Sequence, residues 1–115
     1  KGKASIMYVD VTKGGKHSYS VQLIQENVAL VKDVHYKCIF TIWSDIEDSI
    51  TVRIGSYSTY ETVGFQQHVN VQTTGHSVEI EFDAKESDPF ARFEMNLGGQ
   101  ERKFWIKEVQ VLRLE

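Results

Sequence analysis

The stretch Ala91-Arg92-Phe93-Glu94-Met95-Asn96-Leu97, preceded by Asp88-Pro89 and closed by Gly98-Gly99, decides the fold. Apolar and polar residues alternate through it. Period two puts Ala91, Phe93, Met95 and Leu97 on one side of an extended strand and Arg92, Glu94 and Asn96 on the other. Working outward, the same alternation runs through Tyr36 to Trp43, Ser49 to Ile54, Val69 to Gln72, Ser77 to Phe82, Phe104 to Val111 and, near the start, Tyr19 to Leu23. β-branched and aromatic residues fill these runs, as strands prefer. Between them fall turn formers: Gly14-Gly15, Ser44-Asp45, Gly55-Ser56, Thr74-Gly75, Asp88-Pro89 and Gly98-Gly99. Glu26 to Leu30 and Ala84 to Asp88 read as short turns, and no helix of useful length is expected. The prediction is an all-β chain folded as one antiparallel β-sandwich, a jelly roll, with a single domain over residues 1–115.

Composition bounds the function. The chain has 115 residues, 41% of them hydrophobic, enough for one core. Its formal net charge of -3 provides no basic field, so nucleic acid is not an expected partner. No apolar run approaches the roughly 20 residues that span a bilayer, so no membrane partner is expected either. The opening Lys1-Gly2-Lys3-Ala4-Ser5 is read as that of a module excised from a longer chain. The lone cysteine, Cys38, has no thiol partner and lies in an apolar run, where it serves as a small hydrophobe.

No catalytic constellation is visible. There is no phosphate-cradling glycine loop and no Gly-x-Ser-x-Gly elbow. His17, His35, His68 and His76 stand apart. Glu79 and Glu81 share one strand face and read as a solvated outer surface; Asp45, Glu47 and Asp48 read as a charged turn. No catalytic residue, metal ligand or cofactor is therefore assigned.

What remains is the outward set. Arg53 opposes the core residues Ile50, Val52 and Ile54. Trp43 and Thr41 oppose Tyr36, Cys38, Phe40 and Ile42. Gln22 opposes Val21 and Leu23, and Gln25 lies near that strand's end. The turn Ser56-Tyr57-Ser58-Thr59-Tyr60 adds two rings beside Arg53. A pyranose has an apolar CH face that stacks on aromatic rings and a rim of hydroxyls that pairs with planar amides and guanidinium groups. Trp43, Arg53, Tyr57, Tyr60, Gln22, Gln25, Arg92, Glu94 and Asn96 are thus the candidate carbohydrate-binding residues, provided they meet on one face. The plainer alternatives are a Trp43 covered by a loop or a neighbouring domain, tyrosines packed within their loop, and surface salt bridges between Glu94 and Arg53 or Arg92.

Four blocks resemble a known group. They are Tyr19 to Leu30, Val34 to Ser44, Ile50-Thr51-Val52-Arg53-Ile54-Gly55 and Asp88 to Gly99, the last with its Ala91-Arg92-Phe93-Glu94-Met95-Asn96-Leu97-Gly98 core. They resemble the jelly-roll carbohydrate-binding modules of families 4, 9, 16 and 22, appended to bacterial cellulases, xylanases, mannanases and β-glucanases. The resemblance implies a galactose-binding-like sandwich with a groove across one sheet for a single β-glycan chain. It places binding on Arg53, on Tyr57 or Tyr60, and on Arg92 and Asn96, with Gln22 and Gln25 matching at their own strand. The sequence departs from the group in that its usual N-terminal strand is not expected here, being lost, truncated or replaced by another strand. Lys107 stands where the group carries an aspartate ligand for a structural calcium, so that calcium is not expected.

The expected function is non-catalytic binding of a β-linked polysaccharide or oligosaccharide (β-glucan, cellulose, xylan or mannan). The expected setting is a bacterial secreted protein whose glycoside hydrolase domains lie in the same polypeptide. The alternative is a structural sandwich packed against a catalytic neighbour; a small enzyme is the third reading.

Overall fold

The computed structural model describes residues 6–12 and 22–114. They form β1 (Ile6–Val11), β2 (Gln22–Leu30), β3 (His35–Ser44), β4 (Asp48–Gly55), β5 (Thr62–Val71), β6 (His76–Asp83), β7 (Asp88–Asn96) and β8 (Arg102–Arg113). Two antiparallel four-stranded sheets result, in the orders β1-β8-β3-β6 and β2-β7-β4-β5. The expected all-β sandwich is the architecture found. Tyr19, Ser20, Val21, His17 and the Gly14-Gly15 turn lie outside the described residues.

Alternation sorts the core as expected. Cys38, Phe40 and Ile42 of β3, Ile80 and Phe82 of β6, and Phe104 and Ile106 of β8 are buried from one sheet. Ile50, Val52 and Ile54 of β4, Val69 and Val71 of β5, and Ala91, Phe93 and Met95 of β7 are buried from the other. Aromatic pairs join the layers: Phe40 meets Phe93 at 6.0 Å between ring centroids, and Phe65 meets Phe82 at 5.1 Å. Burial pushes the Cys38 thiol up to about 12, which leaves it protonated and inert.

Three parts of the sequence reading need correction. Glu26 to Leu30 is not a turn but the continuation of β2. A bulge between Gln25 and Val28 breaks its phase, with Asn27 at φ 63°; Asn tolerates that region better than most residues. β5 starts at Thr62, well before Val69, because Gln67 sits on the core-side phase at an exposed edge and masks the alternation. β1 was not among the predicted strands; it pairs along β8 from Ile6↔Lys107 to Val11↔Arg102. β8 changes phase itself: Phe104 and Ile106 point inward before a bulge, Val109 and Val111 after it, with Glu108 at φ 60°.

The charged turn read at Asp45 to Asp48 serves local order. Asp45 Oδ1 accepts from the Lys103 amide at 2.9 Å. Asp48 Oδ2 receives Arg102 Nη1 at 2.7 Å. Arg102 also donates to the carbonyls of Leu97 and Gly98, tying the β7–β8 connection to the start of β4.

On the outer face of the β1-β8-β3-β6 sheet, the pair Glu79 and Glu81 is exposed, as expected. Lys37 reaches Glu79 at 3.5 Å. His35 bridges Glu81 (Nε2, 2.8 Å) and Asp83 (Nδ1, 2.7 Å), and its pKa rises above 6.5, mainly through the hydrogen bond to Glu81 and then that to Asp83. The Glu81 pKa falls below 4.5 through the same bond. The His35 contribution is complete below the unfolded imidazole pKa and is lost as pH rises through the folded one. The Glu81 contribution is present above the unfolded carboxylate pKa and is lost as pH falls through its folded one. Stability should therefore be best between about pH 4.5 and 6.5, with a small decline above. His35→Gln should flatten that decline in denaturant titrations across pH, and salt should shrink it, because the cluster is solvent-exposed.

Candidate functional site

The outer face of the β2-β7-β4-β5 sheet carries a polar field laid out by register. Gln22, Asn96, Thr51 and His68 form one row across the four strands. Ile24, Glu94, Arg53 and Gln66 form the next. Arg92, Gly55 and Thr62 form the third. Along β7 the outward phase therefore reads Asn96, Glu94, Arg92 and then Phe90.

Hydrogen bonds fix this field. Gln22 Nε2 donates to Asn96 Oδ1 at 2.8 Å, and Thr51 Oγ1 lies 3.3 Å from His68 Nδ1. Arg53 Nη1 donates to Glu94 Oε1 at 2.8 Å, and Nη2 to the Tyr60 carbonyl at 2.5 Å. This ion pair is not the surface salt bridge of the plainer reading: the Arg53 and Glu94 side chains are only 13% and 5% exposed. Arg53 also explains Gly55. A Cβ at Gly55 would stand 2.4 Å from Arg53 Nη2, so the guanidinium lies across the bare backbone of Gly55, and a side chain there would have to push it from this position. The Tyr60 carbonyl that Arg53 holds belongs to a residue at φ 65°, unusual for a bulky side chain, and its ring is 64% exposed.

Arg92 is placed differently. Its guanidinium carbon sits 5.6 Å from the Tyr60 ring centroid, and Nε approaches Glu94 Oε2 only to 3.6 Å. Nε is buried without a hydrogen-bond partner. Tyr57 and Phe90, both more than half exposed, meet edge to face at 6.3 Å beside this end of the field. The face thus combines pre-set amides and guanidinium groups with open rings at one end.

Of the predicted residues, Gln22, Arg53, Arg92, Glu94 and Asn96 share this face, with Tyr57 and Tyr60 on the loop at its edge. Two do not belong. Trp43 lies on the other sheet, cross-strand from Trp105, because β3 joins β8 and β6 rather than β7. Gln25 pairs with Phe93, a core residue, so it stands on the opposite side of its sheet from Gln22. Sequence reasoning missed Thr51, His68 and Phe90. Thr51 and Phe90 share the outward phase with Arg53 and Arg92, and alternation alone was a sufficient signal. His68 lay just outside the strand as predicted.

The three rows hold one carboxylate, Glu94, and it is ion-paired, whereas glycoside hydrolysis needs two flanking the bond. Among the described residues, no group of three or more His, Cys, Asp and Glu is arranged to hold a metal ion. A hollow of about 420 Å³ at the ends of β4 and β5, lined by Glu47, Asp48, Ser49, Asn70, Val71 and Gln72, has no aromatic ring for a sugar to stack on.

No family model matches the sequence, and no curated protein matches it. Solved structures do. One described as CBM4 superposes with a TM-score of 0.87 at 18% identity, covering 95% of this chain and 71% of its own. The N-terminal cellulose-binding domain of β-1,4-glucanase C from Cellulomonas fimi gives 0.79 at 16% identity, covering 96% and 79%. The carbohydrate-binding module of PbXyn10C, in its apo form, gives 0.76 at 18% identity, covering 96% and 67%. The jelly-roll fold expected from the four sequence blocks is thereby shown.

Proposed function

We propose that the chain is a non-catalytic carbohydrate-binding module that takes one β-linked glycan chain across the outer face of the β2-β7-β4-β5 sheet. The carrying observation is the interlocked polar field of Gln22, Asn96, Arg53 and Glu94, open to Arg92 and edged by Tyr60, Tyr57 and Phe90. A field already fixed by its own hydrogen bonds loses little entropy on binding, and its free lone pairs and N–H groups meet a hydroxyl rim. Three solved structures of the same fold are described as carbohydrate- or cellulose-binding, which supports the reading. Two of them belong by description to a glucanase and to PbXyn10C. By extension, this module belongs to a secreted glycoside hydrolase and holds it on its substrate through raised local concentration. No calcium is invoked.

Titration calorimetry against soluble β-1,4-glucan, β-1,3-glucan, xylan and mannan oligosaccharides tests the reading. Arg92→Ala and Tyr60→Ala should each weaken the preferred ligand about tenfold, ~1.4 kcal/mol, with the circular dichroism spectrum retained. Arg92 gives up no strong intramolecular hydrogen bond, and Tyr60 is solvent-exposed, so neither change should unfold the chain. Unchanged affinity in both variants would remove the groove from consideration.

A further inference from the structure

The aromatic side chains of the other sheet form a second arrangement that the groove does not use. Tyr8, Trp105 and Trp43 occupy one register row across β1, β8 and β3. Tyr8 and Trp105 are 5.4 Å apart at the centroids, and Trp105 and Trp43 are 6.0 Å apart with their planes only 7° from parallel. The row continues over Gly75, where a Cβ would approach Trp43 Cε3 to 3.1 Å, so the indole rests against bare backbone. Tyr8 is 50% exposed, and both indoles are partly so. Asp10 and Lys103 flank the row on one side, and Lys107 and Thr41 on the other, by register.

We propose that Tyr8, Trp105 and Trp43 form a second glycan site, on the sheet opposite the groove, in which a polysaccharide chain lies along the row against the exposed Tyr8 ring and the outer edges of the stacked indoles. Tyr8 is half exposed at the open end of the row and the two indoles stack on each other, so the row offers a narrow apolar strip, and the polar residues on both flanks supply hydroxyl partners. The size of the patch argues against a protein occupant. Three fully covered aromatic side chains bury about 150–250 Å² each, and these are already partly buried, whereas a stable interface needs about 800 Å² per partner. Farther along the same face Ile39 and the exposed Leu112 stand among charged groups, the Lys37–Glu79 pair and the His35, Glu81 and Asp83 cluster, whose solvation a docked domain would remove. A glycan lying across the row leaves them in water.

The chain has two tryptophans, and both are in this row, while the groove has none, so indole emission reports the second site separately. The experiment titrates the parent chain, Arg92→Ala and Tyr8→Ala with soluble β-1,4-glucan, xylan and mannan polysaccharides. Tryptophan emission and calorimetry are followed together. The expected result is a saturable emission change with at least one polymer, kept in Arg92→Ala and weakened about tenfold in Tyr8→Ala. Tyr8 is half exposed on an edge strand, so its truncation should leave the fold intact, as circular dichroism checks. Emission unchanged at saturation overturns the second site while leaving groove binding measurable by calorimetry. An emission change abolished by Arg92→Ala also overturns it, since the signal then comes from the groove. A change with protein concentration alone, with dimers in sedimentation, overturns it in favour of a second copy covering the row.

Discussion

Arg53→Ala is expected to lower the unfolding free energy by about 3–5 kcal/mol, a large part of the stability of a domain this size, and to abolish measurable groove binding with it. The reason lies in Glu94. Its side chain is 5% exposed, and its one close cationic partner is Arg53 Nη1 at 2.8 Å; Arg92 stands farther off, at 3.6 Å. Truncating Arg53 strands a carboxylate out of water and releases the Tyr60 carbonyl, so the loop at φ 65° loses its tie. The double variant Arg53→Ala with Glu94→Gln should recover part of the loss, because the buried carboxylate is then neutral; the recovery stays partial, since Arg92, 15% exposed, loses the carboxylate beside it. Urea denaturation of the two variants checks this. Equal midpoints for Arg53→Ala and the parent chain would show that the pair is solvated rather than buried.

Phe93→Ala should cost a comparable ~3–5 kcal/mol through a different cause. Phe93 is 1% exposed and meets Phe40 across the layers. Its removal leaves a cavity between two sheets that cannot collapse without disturbing the register on both sides. Arg92 and Glu94 flank it in sequence and point the other way, so the groove should suffer as well. Phe93→Leu should retain most of the stability and the binding, since it keeps apolar volume. Thermal unfolding with glycan titration of the two variants separates packing from recognition: a Phe93→Leu chain that folds yet fails to bind would mean the strand, and not its core side chain, had been displaced.

The extent to which the sequence foretold the site differs residue by residue. Arg92, Glu94 and Asn96 were legible because β7 alternates without a bulge, and Arg53 because β4 does so up to that residue. Gln25 was misread because it was taken for its place near the end of β2 and its match to the family pattern; alternation from Leu23 puts it on the side of Phe93, where it lies. β1 and the part of β5 before Val69 escaped notice, and so did Tyr8 and His68 with them. The Arg53 contact with Gly55 was invisible, although the sequence contained both: nothing in Thr51-Val52-Arg53-Ile54-Gly55 says that the guanidinium folds back over the glycine.

Period-two patterning determined by itself that the chain builds strands and, between bulges, which side of its sheet each residue takes, since both depend on neighbours along one strand. The partners of each strand were decided only in three dimensions. Trp43 and Arg53 are both outward residues of strands adjacent in sequence, yet β3 and β4 belong to different sheets, and so the indole and the guanidinium look away from each other on opposite sides of the molecule. Alternation carries the side a residue faces, but strand order rests on pairings between distant segments, such as β3 with β8 and β4 with β7, whose free energy is collected only when the whole sandwich closes.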